Sequence, residues 1–369
     1  MRFQIQRETL LKPLQAVIGV VEKRQTLPVL ANLLLVARDD GTVSFTGTDL
    51  QIELVAKVQA SVDSAGEVTV PARKLFDICR TLPEGAAITV ELQGERVVVK
   101  AGRSRFQLAT LPVNEFPTLE VKEGGETLML PEHLLLGLID RVAFAMAVQD
   151  VRFYLNGMLF DVREGTLRTV ATDGHRLALC QVTLEGAAAE LSDRQLLLPR
   201  KAVLELQRLL EGEETPVSLV LGRNQVRLER DDVVFTSNLI DGRFPDYQAV
   251  VPIGADQTVR VERDALRDAL TRAAILSNEK YRGVRFEVAP NQLRVMTHNA
   301  EQEEAVEDLA VQTQVQKLEI SFNVVYVQEA LAALRGNEVE ICLRDGNSSC
   351  LIRDAGDDSA KHVVMPMRM

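Results

Sequence analysis

Asp173 and His175 in TVATDGHRLA are a carboxylate and an imidazole close enough in sequence to suggest acid–base chemistry, but no nucleophile stands nearby to complete a hydrolase. The four histidines, His133, His175, His298 and His362, are scattered singly over helices, turns and tail, which is not the clustered spacing of a metal site. Acidic pairs such as Asp231-Asp232 and Asp357-Asp358 flank turn residues and read as solvated loops rather than two-metal phosphoryl-transfer centres. No G-x-S-x-G elbow, Walker loop, G-x-G-x-x-G, H-E-x-x-H or calcium-loop pattern occurs. The expectation is a chain without catalytic residues, metal or cofactor.

Three other features point to binding. The net charge of −11 argues at first against a nucleic-acid partner, whose usual footprint is basic. The charge is uneven, however: taken together, the six segments that read as helices are net positive, and the rest is correspondingly more acidic. If those helices share one face, that face suits loose contact with phosphates. Second, GRSRFQL at 102–108 is a short basic strand with Arg103, Arg105 and nearby Arg96, whereas EQEEAVED at 301–308 carries Glu301, Glu303, Glu304, Glu307 and Asp308. Exposed edges of opposite sign would complement each other between two copies, head to tail. Third, the terminus HVVMPMRM is too apolar for a free tail and must dock, either as a strand finishing a sheet or as part of an adaptable peptide-binding surface.

The elements that position these residues repeat. PARKLFDICRTL at 71–82 and PRKAVLELQRLL at 199–210 share Pro, Arg-Lys and apolar spacing, and each is followed by alternating runs and a Phe-Pro turn, Phe116-Pro117 and Phe244-Pro245. Thr48-Asp49, Thr172-Asp173 and Thr297-His298 mark an earlier block in each of three units. Each unit is expected to open with an amphipathic helix, within 8–24, 131–149 and 262–280, and to carry a second at 71–82, 199–210 and 322–335. Between them, runs such as TVSFTG, QIELVAKV, AITVEL, RVVVKA and RFQLAT are rich in Val, Ile, Thr and Phe and read as antiparallel strands. The fold class is therefore α+β, with three repeated domains, each two helices packed on antiparallel sheets. Gly- and charge-rich 120–126 and the Pro- and Gly-containing 251–256 are the expected linkers, which gives domains at 1–122, 127–250 and 254–369.

Composition sets the frame: 369 residues, 46% apolar and 26% charged, without Trp. That is ordinary globular composition with room for two or three domains. The amino terminus lacks the apolar run of a secretion signal, and nothing is long enough to span a membrane. Four sparse cysteines without a C-x-x-C pair read as reduced, so a cytoplasmic location is expected.

Taken together, LPVLANLLL, TGTDLQIEL, VPARKLFDICR, AGRSRFQLATLP, DVRFYLNGMLF, TVATDGHRLA, DGRFPDY, AILSNEKYRGVR, NAEQEEA and VVMPMR resemble the bacterial sliding-clamp family, the beta subunits of DNA polymerase III, from end to end. The resemblance implies a processivity factor and not an enzyme. Two chains would form a closed head-to-tail homodimeric ring of six clamp domains, with the helices lining a hole through which duplex DNA passes without sequence preference. It implies DNA-facing roles for Arg24, Arg73, Gln149, Tyr154, Arg200 and Lys201. It assigns the dimer interface to Lys74, Ile78, Arg103, Arg105, Phe106 and Leu108 of one chain against Ile275, Leu276, Glu303 and Glu304 of the other.

The same resemblance implies a partner-peptide groove at Leu155, Thr172, Gly174, His175, Arg176, Leu177, Pro245, Val250, Asn323, Tyr326, Ser349, Val363, Val364, Met365, Pro366, Met367 and Arg368. His175 would then line a groove rather than act as a base. Implied partners are the DNA polymerase III catalytic subunit, an ATP-driven clamp loader complex that opens the ring, and other polymerases and repair proteins carrying clamp-binding peptides. Phe153, Ala249, Asn347 and His362 depart from residues frequent in relatives, which bears on one DNA contact and on peptide preference. Without the resemblance, the residues also admit a monomeric repeat scaffold that binds peptides and no DNA.

Overall fold

The computed structural model describes residues 1–21, 27–120 and 124–368. Its first repeat runs β1 (Arg2–Gln6), α1 (Arg7–Ile18), β2 (Asn32–Ala37), β3 (Thr42–Thr48), β4 (Ile52–Gln59), β5 (Ser61–Ser64), β6 (Gly66–Pro71), α2 (Ala72–Thr81), β7 (Ala87–Gln93), β8 (Arg96–Ala101) and β9 (Ser104–Ala109). The second runs β10 (Glu126–Pro131), α3 (Glu132–Asp140), β11 (Gly157–Arg163), β12 (Thr166–Thr172), β13 (Arg176–Thr183), β14 (Arg194–Pro199), α4 (Arg200–Leu209), β15 (Pro216–Leu221), β16 (Gln225–Arg230) and β17 (Val233–Asn238). The third runs β18 (Gln257–Glu262), α5 (Arg263–Ala274), β19 (Gly283–Ala289), β20 (Gln292–His298), β21 (Glu304–Ala310), β22 (Gln312–Thr313), β23 (Leu318–Asn323), α6 (Val324–Ala333), β24 (Glu338–Leu343), β25 (Cys350–Asp354) and β26 (Ala360–Val364).

Each repeat thus opens with a strand, not a helix. RFQIQ, ETLMLP and QTVRVE each bury two apolar residues at period two, Phe3 and Ile5, Leu128 and Leu130, Val259 and Val261, and pass directly into the helix without a loop. The alternation is a strand signal, but each run is so short and so close to an amphipathic helix that the helix period masks it. The opening helices are also shorter than the segments predicted. Helix α1 buries Leu10, Leu14 and Val17 along one face and ends at Ile18, although Val20 and Val21 remain buried beyond it. After α3, a 3-10 turn at Ala143–Ala145 carries the apolar run onward, burying Val142, Ala143, Ala145 and Met146. Burial therefore continues where the α-helix has stopped, which is why periodicity overstated helix length.

The strand pairings among the described residues are antiparallel. By packing, the chain divides into two compact units, Met1–Glu132 with Arg208–Leu239, and His133–Gln207 with Ile240–Met369. The middle repeat contributes to both. The first unit holds a five-stranded sheet, β5-β1-β7-β8-β9, and an eight-stranded one, β10-β15-β16-β17-β4-β3-β2-β6, made continuous by the β17–β4 pairing. Its core includes Phe3, Leu10, Leu14, Phe45 and Leu54, all fully buried, each contributing roughly 1.5–3 kcal/mol by leaving water. The Phe-Pro turn at Phe116 packs into a cluster with Val29 and Leu30.

The second unit holds a nine-stranded sheet, β14-β11-β12-β13-β26-β25-β24-β18-β22, and a four-stranded one, β21-β20-β19-β23. The apolar tail docks as the sequence requires: β26 is an interior strand, paired to β13 on one side and β25 on the other. Helices α5 and α6 pack against each other in this unit. The second Phe-Pro turn buries Phe244 and Tyr247 in a cluster with Leu159, Val170, Leu177, Leu351 and Val363. Tyr247 Oη donates to Asp161 Oδ2 at 2.7 Å. Burial first, and then this carboxylate, push the Tyr247 phenol up to about 12.

Candidate peptide groove and exposed strand edges

Around the end of β26, the second unit gathers residues from segments far apart in sequence. The β12–β13 turn, Thr172 to Arg176, is held by its own side chains. Thr172 Oγ1 donates to the Arg176 carbonyl at 2.6 Å and accepts from the Gly174 amide at 3.1 Å, while Asp173 Oδ1 accepts the amides of His175 and Arg176 at 2.9 and 3.0 Å. Gly174 sits at φ +89, a left-handed conformation that favours glycine, with the Arg152 guanidinium close by. Asp173 is thus engaged in shaping a turn, and His175 is exposed, its ring stacked 6.3 Å from Tyr326 at an interplanar angle of 18°.

The tail continues past the sheet along this turn. Met365 N–H donates to the His175 carbonyl at 2.9 Å, and Met367 N–H to the Ser321 carbonyl in β23 at 2.7 Å, so the last residues lace the nine-stranded sheet to the four-stranded one. Val363 and Val364 are buried, whereas Met365, Pro366 and Met367 are half-buried and Arg368 is exposed. Asn323 caps α6, its Oδ1 accepting the Val325 amide at 2.9 Å, and so sets where Tyr326 leaves the helix. Val250 and Tyr154 pack against the cluster containing Leu177 and Val363. The result is an apolar floor flanked by His175, Tyr326 and the two methionines, chemistry suited to a short linear peptide. Beside it, Asn278, Tyr281, His298 and Asn299 line a cavity of about 400 Å³ closed on one side by Met367 and Arg368.

Within the groove set, some residues lie underneath rather than on the surface. Leu155, Leu177 and Val363 are buried in the chain itself. Arg176 is 9% exposed, and its guanidinium faces inward. His362, next to the groove strand, is fully enclosed: Nδ1 lies 3.0 Å from the Ala330 carbonyl and Nε2 2.9 Å from that of Arg141. Burial holds its imidazole down to about 4, although both carbonyls favour the proton.

Of the implied DNA-facing residues, Gln149, Tyr154, Arg200 and Lys201 come together in the second unit. The loop bearing Gln149 and Tyr154 abuts the start of α4, where Arg200 N–H donates to the Asn156 carbonyl at 2.9 Å and Arg200 Nη1 to that of Met146 at 3.2 Å. Asp150 braces this loop through a paired contact with Arg152, which holds its carboxyl down at about 2. Arg73 is exposed near the start of α2 in the first unit. Arg24 lies outside the described residues.

Both predicted edges are edges. In the first unit β9 ends the five-stranded sheet, with Arg103 and Arg105 exposed and Phe106 half-buried, while Leu108 turns into the chain's own core at 7% exposure. Lys74 is exposed and Ile78 half-buried on α2 of the same unit. In the second unit β21 ends the four-stranded sheet, alternating exposed and half-buried residues along its length, with Val306 at 48%. Ile275, 77% exposed, follows α5 and precedes half-buried Leu276. The strand's acids divide. Glu307 is gripped by Arg272 at 2.8 and 2.7 Å and Asp308 by Arg294 at 2.8 and 3.3 Å, each holding its carboxyl below the usual range. Glu303 accepts from Asn299, and Glu303 and Glu304 remain exposed.

Among the described residues no cluster of His, Cys, Asp or Glu could hold a metal ion, and no helix is long and apolar enough to cross a membrane.

Comparison with known proteins covers the whole chain. Family models for the N-terminal, central and C-terminal domains of the DNA polymerase III beta subunit match residues 1–120, 129–246 and 248–368. A beta sliding clamp from Pseudomonas putida is 53% identical over 371 residues, covering all of both chains. The crystal structure of the DNA polymerase III subunit beta from Pseudomonas aeruginosa superposes with a TM-score of 0.96 at 49% identity, again over all of both chains. A second Pseudomonas aeruginosa sliding-clamp structure, bound to griselimycin, matches equally well, with a TM-score of 0.96 and 49% identity over all of both chains. With three domains matched in order and half the residues identical from end to end, this chain belongs to the DNA polymerase III beta subunit family.

Proposed function

We propose that the chain is a DNA sliding clamp: two copies close head to tail into a ring of six domains, at 1–122, 127–250 and 254–369 in each copy, around duplex DNA. The observation that carries the assembly is the pair of open strand edges of opposite sign, basic at β9 and acidic at β21. Such an isologous or closed head-to-tail choice is decided by which patches complement each other, and here each edge complements the other rather than itself. Lys74, Ile78, Arg103, Arg105 and Phe106 would meet Ile275, Leu276, Glu303 and Glu304 of the partner copy, with Leu108 supporting from beneath.

A ring holds DNA by topology, so it needs no tight phosphate contacts. Arg24, Arg73, Gln149, Tyr154, Arg200 and Lys201 then serve as loose, salt-sensitive contacts that let the ring slide. That the chain is acidic overall is compatible with this, since strong non-specific affinity would impede sliding. The groove captures short peptides of the replicative polymerase's catalytic subunit, of the clamp loader and of other polymerases and repair proteins, tethering each to DNA. In this role the chain binds and does no chemistry, and it acts where the chromosome is replicated, inside the cell.

The test is primer extension by the cognate polymerase and clamp loader with ATP on a long single-stranded circle. Products lengthened from short distributive runs to full circles support the reading. Products of unchanged length, with a chain that stays monomeric at micromolar concentration, would favour the peptide-binding scaffold without DNA.

A further inference from the structure

Arg176 belongs to the groove by position, yet none of the contacts its side chain makes points into the groove. Nε–H donates to Asp173 Oδ2 at 3.1 Å, one terminal nitrogen donates to the Phe144 carbonyl at 2.7 Å, and the other to the Glu329 carboxylate. The guanidinium also lies over two aromatic rings, that of Tyr326 with its centroid at 4.6 Å and that of Phe144 at 5.2 Å. An arginine whose three nitrogens each have an acceptor and whose guanidinium packs on two rings has little left to offer a ligand.

Tyr326 and Glu329 are three residues apart on α6 and so share one face of that helix. The carboxylate of Glu329 therefore draws the guanidinium under the Tyr326 ring, and Tyr326 in turn stacks on His175. Asp173 grips the same guanidinium from the opposite side while fixing the His175 amide. We propose that Glu329 and Phe144 are positioning residues of the groove: acting through Arg176, they set the spacing of the His175–Tyr326 wall, and with it peptide affinity, without touching the peptide. This rests on the groove reading given above. The surroundings of Tyr326 agree, since burial first and then Asp173 and Glu329 push its phenol up against the opposing pull of Arg176.

The experiment is fluorescence anisotropy with a labelled synthetic peptide of the last twenty residues of the cognate polymerase catalytic subunit, on the full-length protein. It is read beside ring-¹³C tyrosine spectra in which the Y326F variant assigns the Tyr326 signal. Glu329 is 42% exposed at its side chain, so Glu329→Gln is expected to fold normally. It should weaken the peptide about three- to tenfold, as loss of one partly exposed charge pair would. It should shift the Tyr326 signal and leave those of Tyr154, Tyr247 and Tyr281 in place. Glu329→Asp should recover part of the affinity, and Arg176→Lys, which keeps the charge but not the planar fork, should not. Unchanged affinity in Glu329→Gln, or weaker binding with the Tyr326 signal unmoved, overturns the positioning role while the groove stands. Absence of binding by the unsubstituted protein overturns the groove reading, and the positioning claim falls with it.

Discussion

The groove and the acidic strand edge lie in the same compact unit and are built in opposite ways. The groove collects a turn at 172–177, the start of α6 and the chain terminus, and it turns Arg176 inward, bonded to Asp173, Glu329 and Phe144, while Arg368 stays exposed. The edge is one contiguous run, 304–310, that turns its charges outward; among the described residues, arginines of the same chain neutralise Glu307 and Asp308. A surface whose charges are already paired recognises by shape and apolar contact, and its affinity should change little with salt. A surface with exposed carboxylates recognises by charge, and screening should weaken it. On the proposed function, one unit would hold a partner peptide and another copy of the chain through two independently adjustable contacts.

The largest expected effect falls on the strand that carries the groove. His362 supports β26 from a fully buried site with its imidazole held down at about 4. A histidine depressed in the folded state is protonated first in the unfolded chain. Its stabilising contribution is therefore complete above the ordinary histidine value near 6.5 and lost as pH falls towards 4, amounting to roughly 3 kcal/mol over that window. Urea unfolding at pH 7.5 and 4.5 should show a larger acid loss for the unsubstituted protein than for His362→Tyr. Equal losses would remove His362 from the account.

Next is the edge. Glu303→Lys with Glu304→Lys should raise the dimer dissociation constant by about a hundredfold in sedimentation equilibrium, since like charges then face Arg103 and Arg105 of the other copy. Peptide affinity should not move. An unaltered dimer mass would break the charge argument. On the groove side, Met365→Ala with Met367→Ala should weaken peptide binding about tenfold with the dimer intact, as expected when adaptable apolar contacts are truncated. Loss of the dimer instead would show that the two surfaces are not independent. The smallest effect sharpens the contrast: Arg272→Ala frees Glu307 from its internal partner, and the dimer's salt dependence should become steeper while its affinity changes by no more than about threefold.

The same contrast explains what could be read from the amino-acid sequence. The edges were legible because their charges are clustered in one short run each, and an exposed strand must show its composition. The docked tail was legible because six apolar residues cannot be left in water. The alternating strands and the Phe-Pro turns followed from local pattern in the same way, whereas the burial of Phe116 and Phe244 did not. The opening strands β1, β10 and β18 were not, since five or six residues fused to a helix offer too short a run for period two to stand out. Nor was the sharing of the middle repeat between two compact units, which depends on the β17–β4 and β13–β26 pairings between residues far apart. The groove emerged only through the family resemblance, because its residues meet by tertiary folding. Even then, position alone could not show that Arg176 lies beneath the surface, nor that Leu108 is buried in its own sheet.

The central claim is a topological link to DNA. The measurement is to load the protein onto nicked circular DNA with a cognate clamp loader and ATP, wash in high salt, and then linearise the circle. Retention on the closed circle and release on cutting are expected, because only an end lets a ring slide off. Release by salt from circle and line alike would mean that ordinary electrostatic contact holds the protein, and would contradict it.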